Sequence, residues 1–313
     1  MTLRLGICFG VLLALLASGP GRAGEALVVN AGEATLSVVD KATEQELRRI
    51  PLLREPHHLT LTPDRHDLLV GDTLGNTLFD LDPMTFVERR RMPVSDPYQF
   101  GFSPDGRYLT VNGLGRNQVD VYAAATYTLL RRFPLASRPS HLAYAPDSSV
   151  VYVSLQGTGL LAAIDLNAMK LLWTAPVGST PAGVLWLNDK VLVAIMGADH
   201  VAVTDPVDGH VEQVIHTGKG AHQLFLSPDR RVLWVNNRVD GTATAVDART
   251  LAPLRTYKVP GGPDDTAFAP DGDLWITQRF VGKVAVLNPA TGAIRSIPVG
   301  RQPHGLFLNT SLP

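Results

Sequence analysis

The chain has 313 residues, with 28 Lys and Arg against 29 Asp and Glu and a formal net charge of −1. A balance this close to zero supplies no field that would draw nucleic acid or an anionic membrane surface, so neither is expected as a partner. The single cysteine is Cys8, inside an N-terminal segment that reads as removable. No disulfide, thiolate metal site or cysteine nucleophile is therefore expected in the rest of the chain.

Residues 1–23 read as a secretory signal peptide cut after Ala23. Arg4 precedes an apolar stretch from Leu5 to Ala17, a Ser-Gly-Pro break follows, and small residues stand at Gly21 and Ala23. The apolar stretch is shorter than the roughly 20 residues that span a bilayer. A periplasmic or secreted protein is expected, with no membrane span after cleavage.

Three apolar runs come next, Ala26 to Asn30, Thr35 to Asp40 and Gln45 to Leu52. A pattern then opens seven times, at Pro56, Pro97, Pro139, Pro181, Ala221, Pro263 and Pro303, at intervals of 41, 42, 42, 40, 42 and 40. So long and regular a period marks a supersecondary unit that must stack on copies of itself to bury its apolar faces. In the second copy, Pro97 to Ser103 leads into Pro104-Asp105-Gly106, then Tyr108 to Asn112, Gln118 to Tyr122 and Tyr127 to Phe133. Short runs rich in Val, Leu, Phe and Tyr, divided by Pro, Gly, Asn and Asp, read as four antiparallel strands.

A Pro-Asp or Asn-Asp turn follows the first strand at Asp64, Asp105, Asp147, Asp189, Asp229 and Asp271, where Pro presets φ and Asp can bond its own backbone. The seventh opening, His304 to Asn309, is followed by only four residues. The three N-terminal runs supply the strands it lacks. The expected fold is thus all-β, a seven-bladed propeller filling residues 24–313 as one domain, its last blade closed by the N- and C-terminal strands.

On the fourth strands, Arg48-Arg49, Arg89-Arg90-Arg91 and Arg131-Arg132 form an arc that would either dock an acidic partner or protect exposed edges from pairing. Asp40, Asp80, Asp165, Asp205 and Asp247 recur where third strands end and read as turn residues.

Second strands share Tyr152-Val153-Ser154, Thr110-Val111-Asn112 and Trp234-Val235-Asn236, and third strands close with Val39-Asp40, Ile164-Asp165 and Val246-Asp247. Val177-Gly178 with Pro181, and Val299-Gly300 with Pro303-His304-Gly305, lead into first strands. With these residues the whole mature chain resembles the YVTN-repeat propellers of bacteria and archaea, many of them exported. That resemblance implies the fold and leaves the function open, because propellers host binding, scaffolding and catalysis alike.

First strands line the central channel, so the residues that begin them surround one mouth. In repeat order the first slot holds His57, Tyr98, Ser140, Ala182, His222, Asp264 and His304; the second holds His58, Gln99, His141, Gly183, Gln223, Asp265 and Gly305. Five of the nine histidines fall in these fourteen slots, which calls for a cause. Regular strand alternation would send His57 and His58 to opposite faces. His57, His222, Asp264 and His304 then share a register and form a candidate site for Cu, Zn, Fe or Ni, with His58, His141 and Asp265 as outer support.

A bland cause is also available, since the Pro-His-Gly of the repeat resembles this pattern and polar residues suit a strand end. Protonated imidazoles could instead hold an organic anion. Tyr98, Gln99, Asp265, Arg238 and Arg279 are candidate ligand contacts. The two arginines either clamp a ligand carboxylate or pair with Asp264 or Asp265.

No Gly-x-Ser-x-Gly, His-Glu-x-x-His, phosphate loop or dinucleotide fingerprint occurs. The reading adopted is a module that binds a metal or small molecule at the mouth. A metal-dependent enzyme, either a lactonase-like hydrolase or a redox protein, is the alternative on the same residues. A scaffold for another periplasmic protein is third.

Overall fold

The computed structural model describes residues 24–309, and the expected signal segment lies outside them. These residues form 28 strands in seven four-stranded antiparallel sheets, with no helix among them. Six sheets use consecutive strands. The seventh pairs Pro303–Leu308 with Glu25–Asn30, which is followed outward by Thr35–Asp40 and Gln45–Pro51. The closure expected from the repeat is the one observed. Asn309 adds to it, its Oδ1 accepting the backbone N–H groups of Gly24 and Glu25 at 3.0 and 2.8 Å.

Each inner strand contacts the next around the circle, from Pro56–Leu61 through to Pro303–Leu308 and back. Seven hydrophobic clusters hold the ring, one at each boundary between neighbouring blades. At the boundary that closes it, Leu27, Val29, Leu36 and Val38 pack against Leu68, Val70, Phe79 and Leu81. Second and third strands are covered on both faces, which is why they read as continuous apolar runs. Outer strands face water; in Glu88–Pro93 only Met92 is buried.

The turn aspartates behave as their chemistry predicts. Asp64, Asp105 and Asp229 accept the hydroxyls of Thr62, Ser103 and Ser227 two residues upstream, at 2.6 to 2.7 Å. Asp40, Asp165 and Asp247 each accept backbone N–H groups of the turn that follows. Asp80 departs from this set: it lies within Thr77–Leu81, is buried, and pairs with Arg90, while Asp82 holds the turn through the N–H groups of Met84 and Thr85.

The arginine arc is largely neutralised within the molecule. Arg49 pairs with Glu46 and Glu33, Arg89 with Asp67 and Asp82, Arg90 with Asp80, Arg91 with Glu88, and Arg132 with Asp120. Arg131 lies over the Phe133 ring. This arrangement suits edge protection, which charged side chains provide on unpaired strands.

Candidate functional site

The geometry of the mouth begins with a bulge. In the first blade Pro56 pairs with Asp72, but the next aligned pair is Leu59 with Val70, so the inner strand carries one residue more than its partner. Register shifts occur at the matching place in the third to seventh blades. Proline has no N–H to give to the ladder, and a bulge at a strand end re-aims side chains. The alternation that would have parted His57 and His58 is therefore interrupted. Both are buried, with their Nδ1 atoms 2.9 Å apart.

This corrects the expected register and gathers all five imidazoles. Their ring centroids run from His57 to His58 at 4.7 Å, to His141 at 5.3 Å, to His222 at 5.4 Å, to His304 at 6.3 Å, and back to His57 at 3.7 Å. Tyr98 stacks on His57 with centroids 4.0 Å apart. The fourth blade contributes no imidazole. Its Gly183 leaves room for its neighbour, because a Cβ there would lie 2.6 Å from Gln223 Oε1 and 2.9 Å from the His222 carbonyl oxygen.

Two parts of the belt differ in their partners. On one side Asp264, fully buried, receives Arg238 Nη2 on Oδ1 at 2.6 Å and Arg279 Nη1 on Oδ2 at 3.5 Å. His222 Nδ1 stands 3.0 Å from Oδ1, and its Nε2 lies 2.7 Å from Arg238 Nη2. A guanidinium can only donate, so Nε2 accepts and the proton of a neutral His222 ring resides on Nδ1, facing the carboxylate. Both arginines contact Asp264, one of the two arrangements expected from the sequence.

On the other side, His57, His58 and His304 each offer one nitrogen within 4.8 Å of the others. His58 Nδ1 lies 2.7 Å from the Tyr98 carbonyl oxygen, which fixes its proton there and leaves Nε2 as a lone pair. Among the described residues, His58 Nε2, His141 Nε2 and both ring nitrogens of His304 have no hydrogen-bond partner. An unsatisfied buried polar atom costs about 1–3 kcal/mol, so a cluster of them calls for an occupant. Of the four residues first expected to share a metal, the structure thus groups His57 and His304 with His58, while His222 and Asp264 are engaged by Arg238. The signal that could have found His58 was the proline before the His-His pair.

Burial sets the charge state. Desolvation lowers His58 and His222 from the usual imidazole value to about 4, and takes His57, His141 and His304 well below it. The rings are neutral at pH 7, the state that ligates metals; an anion held by imidazolium is disfavoured. Desolvation pushes the Asp264 carboxyl up, but Arg238 with the His304 and His222 rings outweighs it and holds the group well below its usual range. Asp265 goes the other way. Burial, reinforced by Asp264, raises it to about 7, although it accepts the N–H groups of Thr266 and Leu306. Gln99 offers a buried Oε1 that has no partner among the described residues.

Comparison with known proteins gives a family. A YncE-like β-propeller family model matches residues 7–313. The chain belongs to that family. The match supports propeller membership without singling out the YVTN repeat. No curated protein matches the chain. Among solved structures, a protein of unknown function from Desulfotomaculum acetoxidans superposes with a TM-score of 0.78 at 13% identity, covering 91% of this chain and 98% of that one. The periplasmic gluconolactonase PpgL of Pseudomonas aeruginosa gives 0.72 at 21% identity, covering 90% and 98%. The dihydro-heme d1 dehydrogenase NirN in complex with DHE gives 0.68 at 13% identity, covering 92% and 76%. At these identities the likeness is one of fold.

Proposed function

We propose that this YncE-like propeller is an exported module that binds a transition metal at the channel mouth through His57, His58 and His304. The observation that carries the reading is the group of three buried imidazoles, each offering one nitrogen within 4.8 Å of the others, in which the His58 and His304 rings carry nitrogens with no hydrogen-bond partner among the described residues. Three imidazoles suit Zn, Cu, Fe or Ni, and all three rings are held neutral and ready to ligate. Export rests on the N-terminal segment, and the periplasmic gluconolactonase among the fold neighbours agrees with it.

Metal analysis of untagged mature protein purified from the periplasm tests this reading. Stoichiometric metal that is lost on His58→Ala plus His304→Ala, with the fold retained, supports it. Protein that is metal-free and takes up none of Zn, Cu, Fe or Ni ends it.

A second reading, metal-dependent turnover, has one observation behind it: the partly exposed Arg279 guanidinium borders the same cluster, where it could stabilise a developing oxyanion. His222 does not serve this reading as a general base, because Arg238 occupies its free nitrogen. Lactone hydrolysis by metal-loaded protein, compared with Arg279→Gln, is the corresponding assay.

A further inference from the structure

Beside the histidine belt, on the same end of the ring, a pocket of about 690 Å³ opens between the sixth and seventh blades. Its walls include Arg279, Phe280, Val281, Arg301 and Gln302. Phe280 and Val281 are exposed, at 66% and 50%, an unusual place to leave an aromatic ring and a β-branched side chain together on a loop. Gly262 allows the ring to sit low, since a Cβ there would approach it to 2.5 Å.

Both guanidiniums of this pocket hold their acids only at the long end of ion pairing. Asp264 is closer to Arg238, at 2.6 Å, than to Arg279, at 3.5 Å. Glu33 is likewise closer to Arg49, at 2.6 Å, than to Arg301, at 3.7 Å. Each guanidinium in the pocket wall is therefore the second cation on an acid already held by another arginine. Two positive groups flank an apolar patch, and an oxyanion with an apolar body complements both.

We propose that this pocket binds a small organic anion, its carboxylate or phosphate paired with Arg279 and Arg301 and its apolar body lying on Phe280 and Val281. The proposal takes from the preceding reading only that the mouth is the working end of the molecule. Arg279 joins the two sites, because it also contacts Asp264, whose Oδ1 lies 3.5 Å from His304 Nε2.

Calorimetric titration of metal-stripped mature protein with benzoate, phenyl phosphate and benzamide tests it. At least one anion is expected to saturate at submillimolar concentration and to weaken as salt is raised. Benzamide, alike in shape but neutral, should bind at least about tenfold more weakly, and Arg301→Gln should reduce anion affinity about tenfold, the loss of one charge-assisted contact. Which anion saturates tells carboxylate from phosphate. Equal binding of benzoate and benzamide, no effect of Arg301→Gln, or no saturable binding of either anion up to millimolar concentration overturns the proposal. Because the metal is stripped first, these outcomes are independent of whether the histidine cluster loads an ion.

Discussion

Arg238 Nη2 sits 2.6 Å from Asp264 Oδ1 and 2.7 Å from His222 Nε2, so one guanidinium nitrogen ties a buried carboxylate to a buried imidazole. Removing it leaves Asp264 with one guanidinium, Arg279 at 3.5 Å, and the neutral rings of His222 and His304 at 3.0 and 3.5 Å. Truncating one partner of a buried ion pair costs about 3–5 kcal/mol. Arg238→Met is expected to destabilise the fold by about 3 kcal/mol, and adding Asp264→Asn should recover much of that loss. Urea denaturation of wild type, single and double variants checks it; a double variant no more stable than Arg238→Met would refute the coupling.

Acid should destabilise the protein at a pH where its exposed carboxylates are still ionised. The belt histidines are neutral when folded but titrate at the ordinary imidazole value when unfolded. Between about pH 6.5 and 4 the unfolded chain therefore binds more protons, and stability falls as pH falls. Asp265, raised to about 7, has the opposite sign: folded protein holds its proton where unfolded chain does not, so this one group loses stability as pH rises from about 4 to 7. Five imidazoles outweigh one carboxyl. Thermal midpoints should drop from pH 7 to pH 4.5, and Asp265→Asn should make that drop steeper. A flat profile, or a shallower one in the variant, contradicts the assignment.

His58 and His141 separate the metal reading from general packing. His141 lies next to His58 in the belt, but its nitrogen is outside the group of three. Loss of an outer partner typically costs about 10–100-fold in metal affinity. His141→Ala should fall in or below that range, and His58→Ala should exceed it. Competition titration with a metal indicator measures both, and the reverse order would mean that the ion, if bound, sits elsewhere in the belt.

The repeat made the ring, the blade number and the strand closure readable, because Pro-x-x spacing and turn residues recur at nearly constant intervals. It also placed His57, His58, His141, His222, Asp264 and His304 at one mouth. The grouping inside the mouth was not readable. Alternation assumes an unbroken ladder, and the extra residue after Pro56 turns His57 and His58 toward each other. The contact of Arg238 and Arg279 with Asp264 depends on side-chain reach across blades, which spacing along one chain does not encode. Asp80 was misread for a related reason: a turn aspartate two residues later, Asp82, fits the same local pattern.

Gly183 carries a sharper test of packing. Its Cα position leaves no room for a methyl group, which would meet Gln223 Oε1 at 2.6 Å and Gln223 Cα at 2.9 Å. Gly183→Ala must shift the backbone beside His222, with a cost of about 1–3 kcal/mol expected for overpacking. Calorimetric melting should show the loss; an unchanged midpoint would mean that the fourth and fifth blades can slide apart freely.

His304 lies on the strand that seals the circle, whereas His57 and His58 belong to the first blade. Before folding these imidazoles are held apart by nearly the whole polypeptide, and they meet only after the last strand has docked on Glu25–Asn30. A chain whose last strand has yet to pair owns the ligands but not the site. Ion capture by this trio would accordingly be a late event in the life of the protein, and its occupancy would report that the circle had been completed.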